Sequence, residues 1–69
     1  MTKITSVHVA AAQRIIAAAG QAGGIDEVRK IAKLGWPENR PLDDDSPALR
    51  AAIIREAKWV VAGVDQGES

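Results

Sequence analysis

The sequence predicts a small all-α protein of three helices, completed by homodimerisation. Three observations lead there. Apolar residues recur at helical spacing in three stretches, and glycine or proline clusters separate them. At 69 residues the chain buries only about 60% of the surface its unfolded form exposes. Such a core yields about 3–5 kcal/mol, so small folds usually carry a staple. With no Cys and one His, disulfides and zinc sites of Cys and His are excluded. Oligomerisation remains.

The first predicted helix covers Ser6 to Ala19. Thr5 is its N-cap, and Ile4 and Val9 form a hydrophobic staple around it. A short strand over Lys3 to Val9 competes weakly, because the alternation there is not cleanly apolar and polar. Val9, Ala12, Ile15, Ile16 and Ala19 share one stripe. Ala10, Ala11, Ala17 and Ala18 lie opposite it. Small residues on both sides suit a close helix–helix approach, which nominates Ala11, Ile15 and Ala18 as a dimer contact. Exposed alanines that do nothing are the plain alternative.

Gly20, Gly23 and Gly24 should end this helix and form a turn. A second helix then covers Ile25 to Leu34. Asp26 and Glu27 open it, and Arg29, Lys30 and Lys33 follow, as the helix dipole prefers. Gly35 fits its C-terminal cap, with Trp36 packing back on Ile31 and Pro37 preventing further helix. Residues 37–45 (PENRPLDDD) are a loop.

The third helix covers Ser46 to Gly63, with Ser46 as N-cap and Pro47 at the first helical position. At about 100° per residue it has two apolar faces. Leu49, Ile53, Ile54, Ala57, Val60, Val61 and Val64 form a broad stripe. Ala48, Ala52, Trp59 and Gly63 form a flatter strip, and Arg50, Arg55 and Lys58 lie between the two. The expected core is Ile16, Ile25, Val28, Ile31, Leu49, Ile53, Val60 and Val64. One domain should span residues 1–64, with a frayed tail over 65–69.

Nine basic and nine acidic residues give zero net charge. A nucleic-acid binder of this size usually shows a basic excess. No apolar run approaches the roughly 20 residues of a membrane span. The N-terminal MTKITSV lacks a signal-peptide pattern, so a cytoplasmic protein is expected. Thirteen alanines with no Phe or Tyr fit a high-GC bacterium or its phage.

No constellation for chemistry survives inspection. Asp43, Asp44 and Asp45 are consecutive, whereas calcium loops alternate their ligands. Asp45-Ser46 resembles the attachment site of carrier proteins over two residues only, and Pro47 departs from that pattern. His8 has no Cys to activate. The glycines of GQAGG follow a helix and precede an Asp, unlike a phosphate loop. We therefore expect no enzyme, cofactor or metal site.

The expected function is protein–protein interaction, as an adaptor, inhibitor or regulator. Trp59, Arg55, Ala52, Ala48 and Trp36 are the candidate contact residues, since Trp and Arg dominate interface hot spots. A competing arrangement folds the loop carrying Trp36, Arg40 and Leu42 over Trp59 and makes it core. The alternative function is a helical DNA-binding regulator, with Arg29, Lys30 and Lys33 facing phosphates. Asp26 and Glu27 at the head of that helix oppose it.

Overall fold

The computed structural model describes residues 3–42 and 44–67. They form two helices, α1 over Ser6–Leu34 and α2 over Pro47–Gly67, and contain no strand. The all-helical class stands, but the expected count of three does not. The helix does not end at Ala19. It continues through Gly20, Gln21, Ala22 and Gly23, and only Gly24 leaves helical geometry, at φ 71° and ψ −167°. Each glycine costs a helix only about 1 kcal/mol relative to Ala, so a glycine-rich stretch without proline can stay helical.

Gly24 bends α1 sharply. In a straight helix, residues eight apart are separated by about 12 Å. Here a Cβ on Gly20 would lie 3.6 Å from Val28 Cγ2. A straight helix of this length would also measure about 43 Å, beyond the molecule's longest extent of 36 Å. The two arms of α1 therefore fold toward each other. The second arm runs antiparallel to α2: Arg29 meets Asp65, and Arg50 reaches back to the Trp36 carbonyl.

The helix ends are locally determined. The Thr5 side chain accepts from the His8 N–H, and His8 Nδ1 accepts in turn from the Thr5 N–H at 3.1 Å. This is a reciprocal capping box with His in the place usually held by Glu or Gln. Gly35 ends α1 at φ 85°, and its N–H donates to the Ile31 carbonyl at 2.9 Å. Ser46 Oγ accepts from the Leu49 N–H at 3.1 Å and opens α2 ahead of Pro47. That helix continues past Gly63 to Gly67. The ion pair from Asp65 to Arg29 holds its last turn against the second arm of α1. Glu68 and Ser69 of the expected tail lie outside the described residues, as does Asp43.

The core closes within one chain. Ile31, Ile53 and Val28 are fully buried, with Ile16 and Leu49 around them. Ile25 and Val60 pack on its edge, and Val64 is half-buried. Ala12, Ala19, Ala52 and Ala57 complete the cluster. These small side chains let the helices approach closely inside one molecule, the role the sequence suggested for a contact between copies. No polar or charged residue is buried among the described residues. None of the described helices is long and apolar enough to cross a membrane.

Candidate protein-binding face

Trp59 stands on α2 with 78% of its surface exposed. Ala52, seven residues earlier, is only 3% exposed. Seven residues are nearly two full turns, so both side chains leave the helix on the same face, about 10 Å apart along its axis. The strip read from the sequence is therefore divided. Ala48 and Ala52 are buried and leave almost no surface free for contact. Trp59 and Gly63 emerge where α1 no longer covers the strip.

Ile4 and Val9 come to the edge of this gap from the N-terminal end of α1. With Ala52, Arg55, Glu56 and Trp59 they line a small cleft of about 170 Å³. Val9 is 37% exposed, and the neighbouring Val7 is 74% exposed. The staple around Thr5 thus delivers two apolar side chains beside the indole. Their approach to Trp59 was not legible in the sequence, because no local pattern links residue 9 to residue 59.

Arg55 forms a wall of the cleft and is exposed. Its guanidinium has no hydrogen bond or ion pair with any other described residue. Three other arginines are engaged: Arg29 with Asp65 at 2.6 Å, Arg40 with Glu27 at 3.0 Å and Arg50 with Asp45 at 2.6 Å. The hydrogen bond from Arg29 holds the Asp65 carboxyl below its ordinary value, and the one from Arg50 does the same to Asp45.

Trp36 does not join Trp59. It lines a different and larger hollow, of about 520 Å³, with Ala11, Ile15, Ala18, Leu42 and Leu49. The loop after α1 therefore packs against the first arm of α1, not over Trp59. Its position is pinned at several points. The Trp36 indole N–H donates to the Arg40 carbonyl at 3.1 Å, and the Arg40 guanidinium lies 5.1 Å from the ring centroid. Arg50 donates to the Trp36 carbonyl at 3.3 Å. Of the residues nominated for a dimer, Ala11 and Ile15 are half-buried in this hollow and Ala18 is exposed at its edge.

The chemistry available at the Trp59 cleft is that of contact: an indole, two aliphatic side chains and charged residues beside them. His8 is occupied in the cap of α1. Among the described residues, no group of three His, Cys, Asp or Glu side chains is placed to hold a metal ion. No known protein family matches the chain, and no curated protein or solved structure is significantly similar to it.

Proposed function

We propose that the chain is a non-enzymatic protein-binding module that acts through Trp59, with Ile4, Val9 and Arg55 around it. One observation carries this: a single face of α2 is core at Ala52 and open at Trp59. A lone exposed aliphatic residue needs no explanation. A tryptophan is different, because it offers up to about 250 Å² of contact area with two rotatable bonds to fix. Here it also adjoins two further apolar side chains and an arginine without a partner among the described residues. An adaptor, inhibitor or regulator of another cytoplasmic protein would use such a face. Arg29, which a DNA-binding mode would turn to phosphates, is engaged with Asp65, and this weighs for protein over DNA.

Wild-type protein and a Trp59→Ala variant, used as paired baits in a pull-down read by mass spectrometry, test this reading. A partner held by the wild type and lost by a folded Trp59→Ala variant is expected. Identical partners for both baits would refute it.

Self-association belongs to the other face. The hollow beside Ala11, Ile15 and Ala18 is mostly apolar, with Arg14 and Asp44 on its wall, and is large enough to take side chains from a second copy. Light scattering at micromolar concentration should then give about twice the 7.3 kDa chain mass. A mass of 7.3 kDa throughout the concentration range removes the dimer.

A further inference from the structure

We infer that the occupant of the Trp59 cleft is an acidic segment of a partner protein bearing an apolar anchor residue. This rests on the protein-binding reading of that cleft and names the chemistry of its partner.

The chain is neutral as a whole, but its charge is not evenly spread. The ion pairs Arg29–Asp65, Arg40–Glu27 and Arg50–Asp45 cancel three basic residues against three acidic ones. None of these six residues lines the cleft. Arg55 forms part of the cleft wall, and Lys58 and Lys3 stand next in the chain to the lining residues Trp59 and Ile4. Arg55, Lys58 and Lys3 have no ion pair among the described residues. Glu56 is the single acidic residue lining the cleft. Charges beyond about 8 Å are screened at physiological salt, so a docking segment meets this local basic excess and not the neutral total.

An apolar centre with a basic rim fits an apolar anchor flanked by carboxylates. A second copy fits less well. A two-fold contact centred on Trp59 would bring Lys3, Arg55 and Lys58 of both copies together, and like charges face to face oppose association.

The experiment uses a displayed random peptide library, selected on the full chain and counter-selected on Trp59→Ala. Peptides that bind only the wild type should be rich in Asp and Glu and carry a Leu, Ile or Phe. One such peptide is then titrated against Trp36→Phe protein, in which Trp59 is the only fluorophore. Arg55→Glu should weaken it by about three- to tenfold, and added salt should weaken it further. Wild-type-specific peptides that are neutral or basic would overturn the acidic partner and leave the protein-binding reading standing. A library yielding no Trp59-dependent peptide would sink both. Two further results would overturn the inference in favour of another occupant. One is Trp59-dependent cosedimentation with phosphatidylserine vesicles, and the other is a dimer of the wild type that Trp59→Ala dissolves.

Discussion

Replacing Gly20, Gly23 and Gly24 one at a time by Ala should give effects of opposite sign within five residues. In a straight helix all three changes would stabilise, by about 0.5–1 kcal/mol each, because alanine is the better helix former. The bend predicts otherwise. At Gly20 the new methyl group would meet Val28 Cγ2 at 3.6 Å, an ordinary contact, so the full gain is expected. At Gly23 it would lie 2.7 Å from Glu27 Cβ, a collision that the backbone must relieve, and the gain is lost or reversed. At Gly24 there is open space, but φ 71° with ψ −167° is a region almost confined to glycine. Strain there costs about 1–3 kcal/mol, a large share of the about 3–5 kcal/mol that a chain of this size usually commands. A domain this small shifts its melting temperature by about 4–8 °C per kcal/mol. Thermal unfolding followed by circular dichroism should therefore show a rise of at least about 2 °C for Gly20→Ala and a fall of at least about 4 °C for Gly24→Ala. Equal stabilisation by all three would refute the bend and the core built across it.

Two other measurements bear on the face and on the ion pairs. Trp59→Ala should change stability by no more than about 0.5 kcal/mol, as exposed positions do, whereas Ile53→Ala, at a site with no exposure, should cost about 2–5 kcal/mol. Urea unfolding of both variants checks this, and a core-like loss for Trp59→Ala would mean that the indole is covered. The folded carboxyl of Asp65 sits below its ordinary value of 3.8 because Arg29 hydrogen-bonds it, so its contribution is complete above about pH 4 and disappears as pH falls through the lower folded value. Melting temperature against pH should turn down in that acid range, and Asp65→Asn should flatten the turn by lowering the neutral-pH value by the same small amount, as an exposed ion pair allows.

Both ends of α1 and the start of α2 were legible because their signals are local, whereas Gly63 did not end α2. Thr5, Gly35 and the Ser46-Pro47 pair each act within one turn, through bonds that four or five consecutive residues determine. The larger core residues were legible for a related reason: Ile16, Val28, Ile31, Leu49 and Ile53 are too apolar to leave in water. The alanines of the first arm were legible through their neighbours: Ala12 and Ala19, on the stripe with Ile15 and Ile16, are buried, while Ala10 and Ala18, opposite it, are exposed. The glycines misled. Three of them in five residues promise a turn, yet whether each one breaks a helix depends on what packs beside it, and Val28 packs beside Gly20.

The candidate face shows where periodicity stops being informative. Residue spacing fixes the angle at which a side chain leaves a helix. It does not fix how far along the axis a neighbouring helix continues to cover that angle. Ala52 and Trp59 share an angle and differ in cover, and that difference creates the cleft. Trp36 shows the complementary case. Sequence grouped it with Trp59 by residue type, but a glycine cap and a turn from Pro37 to Arg40 send it to the other side of α1. There its indole N–H and its ring are both engaged by Arg40. Of the two tryptophans, only Trp59 keeps most of its surface free, and the apolar residues that could have covered it, Ile4 and Val9, reach only the edge of the cleft. An indole left open by the end of a helix, beside an arginine with no partner among the described residues, is a surface whose apolar and charged requirements another molecule can meet.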